Sequence, residues 1–254
     1  MGAAGLAAAA VAIQSESQQV ADQYLSKAIM LYELATQTKQ GLYTAWQKTM
    51  DSATLYPSTS FYDDLAWAAS WLYLASGKTS YLNDAVAYYN KALMEAHSTV
   101  NPYFFNYENV LPALHLLLYQ ATKDPTYRFA AQDFVRAWMT DNKAATGNVF
   151  YTRKYLAKVQ PGGTLQQTAN AAFYVMLAAQ ENLMGGKFML YACWARDQIG
   201  YMLGDAGRWG NASGLRLCSW DCLSPDVIHC CIVACRQCRL LADQVLAEYV
   251  SSTR

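Results

Sequence analysis

The chain has 254 residues, 54% hydrophobic and 15% charged, which suits one globular domain with a large core. Nineteen basic and nineteen acidic side chains cancel, and without a basic run there is no electrostatic case for nucleic acid or an anionic membrane as partner. The 19 Tyr, 7 Trp and 8 Phe suit an aromatic core, or ring platforms facing an open cleft, where the C–H face of a pyranose stacks well.

The opening MGAAGLAAAAVAIQ is apolar but short, and no Lys or Arg precedes it. That argues against a secretory signal, and no run is long enough to span a bilayer. Leu6 stands where a myristoylation pattern needs Ser or Thr. The segment reads as an Ala-rich helix over 3–13. Apolar residues keep helical spacing through most of the first 205 positions, predicting further helices over 17–36, 61–76, 80–96, 108–122, 126–140, 165–184 and 187–203. Thr79 or Ser80, and later Pro125 with Thr126, look like helix starts; Gly77 looks like a stop. No segment alternates with period two for long. Residues 55–60, 101–106 and 141–163 read as loops, the places where a helical scaffold usually carries binding groups.

Residues 61–85, FYDDLAWAASWLYLASGKTSYLNDA, return at 107–131 as YENVLPALHLLLYQATKDPTYRFAA, an offset of 46. Leu65, Leu72, Tyr73, Ala75, Tyr81 and Ala85 reappear as Leu111, Leu118, Tyr119, Ala121, Tyr127 and Ala131, while Ser76 and Ser80 become Thr122 and Thr126. Two apolar helices around a polar turn, repeated, are the trace of stacked helical hairpins. The fold class is therefore all-α. Trp67 and Trp71 share a helix face and read as core. His97 and His115 lie in or at the end of helices with no accompanying nucleophile motif, and read as core or surface histidines.

Composition changes after Arg208. Six of the seven cysteines fall at 218, 222, 230, 231, 235 and 238. Zinc fits this spacing poorly, because only Cys235 and Cys238 form a C-x-x-C knuckle, and disulfides are a further reading. The tract reads as a tail foreign to the domain, which gives a division into 1–208 and 209–254.

Three passages carry a resemblance. FYDDLAWAASWLYLASGK at 61–78 is similar to [YF]-x-D-E-L-x-W-[AG]-A-x-W-L-[YH]-x-A-[ST]-G of the glycoside hydrolase family 9 endoglucanases. GGTLQQTANAAF at 162–173 is similar to that family's G-G…L-R-Y-x-A-N-x-A-F, and YACWARDQIGYMLGD at 191–205 to its A-x-x-Q-[IV]-x-Y-[IM]-L-G-[DS]. They occur in family order. The resemblance runs from about Gly2 to Arg208 and covers roughly the middle half of a family catalytic domain. It implies an incomplete (α/α)6 toroid, truncated at both ends; hairpins alone are what the 46-residue echo supports.

Inverting hydrolysis of a β-1,4-glucan needs an ionised carboxylate to take a proton from water and a protonated one to serve the leaving oxygen, roughly 6.5–9.5 Å apart. The family places the base in D-[AG]-G-D and the acid Glu near the C-terminus, and neither motif occurs here. Asp205-Ala206-Gly207 is followed by Arg208 and matches the family's G-D-N-P-R helix end instead. The resemblance thus implies an endoglucanase fragment inactive as this chain, with no catalytic residue to assign. Tyr56 and Tyr103 match family aromatic positions and are the candidate substrate contacts. Asp63 and Asp64 match a D-E pair that helps hold a structural calcium in several members, and Glu108 could complete that carboxylate cluster; a plainer reading is that the two aspartates stabilise a helix N-terminus. No cofactor is required. The family's Trp-bearing segment is lacking after Gly163, and Gln166 and Gln167 stand where it has Arg and Tyr. Family members are commonly secreted. Two other readings are a solenoid-like scaffold that binds a protein, and a protein that holds glucan without cutting it. Part of a ring leaves apolar faces unburied, so self-association is expected.

Overall fold

The computed structural model describes residues 1–38, 60–99, 103–139, 149–152, 155–159, 163–186 and 188–204. The chain divides into two compact units, Met1–Phe134 and Val135–Arg254. Each predicted helix is present: α1 (Gly2–Ile13), α2 (Gln18–Gln37), α3 (Tyr62–Ser76), α4 (Thr79–Thr99), α5 (Leu111–Thr122), α6 (Pro125–Met139), α7 (Thr164–Gln180) and α8 (Phe188–Met202). Among the described residues no helix is long and apolar enough to cross a membrane. The Cys-rich tract, the Asp205 segment and the His97 side chain lie outside the described residues.

In the first unit α1 packs on α2, and α3 touches α1, α2, α4 and α5. Small residues permit the close approach of α1: its buried face is Ala3, Ala4, Ala7 and Ala10. Ser17, in extended backbone, caps α2 by accepting the Val20 N–H at 3.4 Å. Tyr32 on α2 is buried and donates its hydroxyl to Asp84 Oδ2 on α4 at 3.0 Å. Burial, then the Asp84 charge, pushes that phenol well above its ordinary range. Trp67 and Trp71 lie at the margin of the core, edge to face at 5.9 Å.

The sequence echo is also a geometric one. Gly77 ends α3 at φ 68, its N–H donating to the Tyr73 carbonyl at 2.8 Å. Lys123 ends α5 at φ 57, its N–H donating to the Tyr119 carbonyl at 2.8 Å. Ser76 Oγ donates to the Leu72 carbonyl (2.6 Å) as Thr122 Oγ1 does to that of Leu118 (2.7 Å). Leu72 and Leu118, like Ala85 and Ala131, are fully buried. The two hairpins are copies that differ in using glycine once and lysine once for the same left-handed turn.

Helix α5 begins at Leu111, three residues later than its pattern suggests. Asn106 Oδ1 accepts the N–H groups of Glu108 (3.0 Å) and Asn109 (3.1 Å), and Asn109 Oδ1 accepts that of Leu111 (3.1 Å). Side chains that satisfy these donors hold the preceding residues in turns. Helix α7 stops at Gln180, four residues early, where Asn182, Gly185 and Gly186 take positive φ.

The loop expected over 141–163 contains a short antiparallel ribbon in the second unit. Strands β1 (Phe150–Tyr151) and β2 (Ala157–Lys158) pair Tyr151 with Ala157 and Phe150 with Lys158. Two residues per strand are too few to leave an alternating pattern, so periodicity could not reveal them. Trp138, Val135, Tyr174, Val175 and Leu183 form the buried centre of this unit.

Candidate functional site

Asp63 and Asp64 stand in the first turn of α3, where a helix N-terminus favours negative charge. Asp63 is only 5% exposed. The Val110 N–H, at the entry to α5, donates to Asp63 Oδ2 at 3.1 Å. One carboxylate thus serves the start of its own helix and of the helix one repeat later. Burial, and next the neighbouring Asp64 charge, push the Asp63 carboxyl up to about 6, against the backbone hydrogen bonds that hold it down. Burial raises Asp64 as well. Asp64 faces a surface cavity of about 400 Å³ with Tyr32, Phe61, Leu31 and Leu65.

Glu108 is half-buried in the Asn106 turn. Among the described residues no three His, Cys, Asp or Glu side chains gather as a metal-holding group. The structure brings together Asp63, Asp64 and the Val110 N–H; Glu108 is not gathered with them into such a group. The helix N-terminus reading of Asp63 therefore has a direct observation behind it, and its reach to a second helix is something the sequence did not suggest.

Of the two aromatic candidates, Tyr56 lies outside the described residues. Tyr103 is half-buried, and burial, then the Asp133 charge, raises its phenol. Gln166, in place of the expected Arg, is exposed, whereas Gln167, in place of the expected Tyr, is buried with Oε1 lacking a partner. His115 stacks edge to face on Tyr89 at 5.8 Å; its Nδ1 is buried without a partner, and burial lowers its pKa to about 4. A neutral, packed imidazole of this kind matches the core reading.

The ribbon of the second unit is held by side chains that sequence reasoning passed over. Gln198 on α8 is 2% exposed. Its Nε2 donates to the Tyr155 carbonyl at 3.1 Å, and its Oε1 accepts the Ala157 N–H at 2.8 Å. The amide thus pairs with the outer edge of β2 as a neighbouring strand would. Thr168 Oγ1 on α7 donates to the Ala157 carbonyl at 2.6 Å. Tyr151 donates its hydroxyl to the Trp138 carbonyl and accepts the Trp194 Nε1–H at 3.0 Å. Tyr155, between the strands, has φ 64, a conformation that costs a side-chain-bearing residue about 1–2 kcal/mol. Gln198 was visible as the Q of the third family-like passage; what it holds was not.

The profile of glycosyl hydrolase family 9 matches residues 1–209. Endoglucanase 4 of Bacillus sp. (strain KSM-522) is 31% identical over 207 residues, covering 80% of this chain and 31% of that protein. The endoglucanase from the termite Nasutitermes takasagoensis superposes with a TM-score of 0.67 at 29% identity, covering 80% of this chain and 43% of that one. Endoglucanase CelQ from Clostridium thermocellum, solved with cellotetraose, gives a TM-score of 0.62 at 28% identity over 80% of this chain and 34% of that one. The chain thus spans about a third of the length of the curated relatives it matches.

Proposed function

The chain belongs to glycosyl hydrolase family 9, its fold an all-α, incomplete (α/α)6 set of hairpins, and from that premise we propose that it is a section of an inverting endo-β-1,4-glucanase domain that holds glucan without hydrolysing it. The observation that carries the reading is the match across residues 1–209 together with a sequence that offers neither catalytic carboxylate motif. Asp63 is no substitute base despite its raised pKa. It is buried and one of its oxygens is taken by the Val110 N–H, so it cannot reach a water poised on a sugar ring.

On this reading Tyr56 and Tyr103 contact the glucan. Asp63 and Asp64 would hold a structural calcium; Glu108, the expected third carboxylate, is not gathered with them among the described residues. Two carboxyls raised by burial, one of them also by its neighbour, are a hard-oxygen pair in want of positive charge, which suits that ion. Calcium there would neutralise the pair and brace the start of α3, and takes no part in bond cleavage.

Reducing-sugar release from amorphous cellulose, measured beside pull-down on the same material, tests the proposal. Retention without sugar release is expected. Release of sugar by the purified 254-residue chain would show that a catalytic pair has been overlooked, and absence of retention would dismiss glucan binding. Addition of millimolar calcium after chelator treatment should raise Tm, and Asp64→Asn should abolish the rise; an unchanged Tm on calcium addition would remove the ion from the proposal.

A further inference from the structure

We propose that the outward face of α2 is a docking surface for a second copy of this chain, the two helices pairing antiparallel about a two-fold axis at Met30. This surface shares no residue with the glucan-binding reading above and does not depend on it.

Helix α2 runs for 20 residues, yet its buried residues are Ala21, Ala28 and Tyr32 alone. The opposite side carries Gln23, Lys27, Met30, Glu33 and Gln37, all exposed. The spacing is symmetric: the lysine and the glutamate stand three residues to either side of Met30, and the two glutamines stand seven. At about 3.6 residues per turn, Gln23 and Gln37 lie roughly 20° to either side of Met30, and Lys27 and Glu33 roughly 60°. Leu34, about 40° from Met30 on the Lys27 side, is like Met30 more than half exposed.

Antiparallel pairing centred on Met30 turns this stripe onto its own complement. Met30 meets Met30, each Gln23 comes level with Gln37 of the second copy, and each Lys27 comes level with its Glu33. Amides that both donate and accept then face each other, and unlike charges stand across the seam. Leu34 of the second copy lies on the same side of the seam as Lys27, so the lysine stem covers it while the ammonium reaches the carboxylate. Among the described residues neither Lys27 nor Glu33 makes an ion pair. A face that complements itself in this way fits an isologous two-fold contact, the commonest closed assembly. A standard stable interface buries about 800 Å² per partner, more than one helix face offers, so the pairing is concentration-dependent.

Sedimentation velocity of the full chain over a concentration series at low salt tests this inference. Wild type should distribute between monomer and dimer. Lys27→Glu and Glu33→Lys each set like charges level with one another, and each should weaken the dimer about tenfold. An equimolar mixture of these two variants should recover a dimer of wild-type strength, because each then meets its opposite. The double reversal, Lys27→Glu with Glu33→Lys, should recover it without mixing. All three variants should melt with wild type at concentrations where each is monomeric, since both positions are exposed.

A wild-type monomer at every concentration would overturn the inference, and the α2 face would then belong to some other occupant. Single reversals that leave the association unchanged would place it on another surface and overturn the inference too. Failure of the mixture to recover would overturn the antiparallel register. None of these results bears on retention by cellulose.

Discussion

Three side chains show how far a single residue's environment reaches. Lys123 sits at φ 57 where the other copy of the hairpin uses Gly77 at φ 68. Gly77→Ala should therefore cost about 1 kcal/mol. Lys123→Gly should gain less, roughly 0.5 kcal/mol, because the Lys123 ammonium 5.4 Å above the Tyr119 ring is itself worth about 0.5 kcal/mol. Denaturant unfolding of the two variants reads the pair of signs, and a gain for both would refute the equivalence of the turns. His115 sets a pH dependence. Its folded pKa is lowered to about 4 by burial from about 6.5 in the unfolded chain, so the unfolded state binds its proton first. The stability is intact above pH 6.5 and is lost as pH falls through 4, by at most about 3 kcal/mol. Asp63, raised to about 6, works in the opposite direction and is common to both chains when wild type is compared with His115→Phe. The variant should gain on wild type steadily between pH 6.5 and 4; parallel stability curves would show that His115 charges freely in the folded state.

Long-range polar bonds tie elements together among the described residues. Asp63 joins α3 to α5, and Tyr32 with Asp84 joins α2 to α4. Asp63→Ala strands the buried Val110 N–H, and an unsatisfied group of that kind costs about 1–3 kcal/mol. Asp63→Asn keeps an acceptor and removes the charge, so it should cost far less in metal-free buffer. Equal losses in the two variants, followed by thermal melting, would mean that charge and not the hydrogen bond joins the repeats. The helix limits themselves were legible because they depend on local spacing and caps. The late start of α5 and the early end of α7 had local chemical causes too: the Asn106 and Asn109 side chains delay α5, and positive-φ residues cut α7 short. Asparagine turns compete with a helix through bonds that apolar periodicity does not register.

On the scale of the whole molecule, each unit leaves apolar side chains in water. Met30 and Leu34, one turn apart on α2 in the first unit, are 56% and 58% exposed, and Phe173 on α7 in the second is 59% exposed. Surfaces of this kind favour association. Sedimentation should show a mass that grows with concentration, and Met30→Lys with Leu34→Lys should shift the distribution toward monomer; a concentration-independent monomer for wild type would refute association through α2.

The all-α class, the eight helices of the described residues, the repeated hairpin and the family could be read from the chain alone, because helical period, caps and ordered motifs are all written locally. What Asp63, Tyr32, Thr168 and Gln198 bond to, and the left-handed backbone of Tyr155, emerge only once the helices pack. Those partners lie from 11 to 52 residues away along the chain. A hydrogen bond across such a distance leaves no spacing to read, since its donor and acceptor meet only after the helices between them have packed.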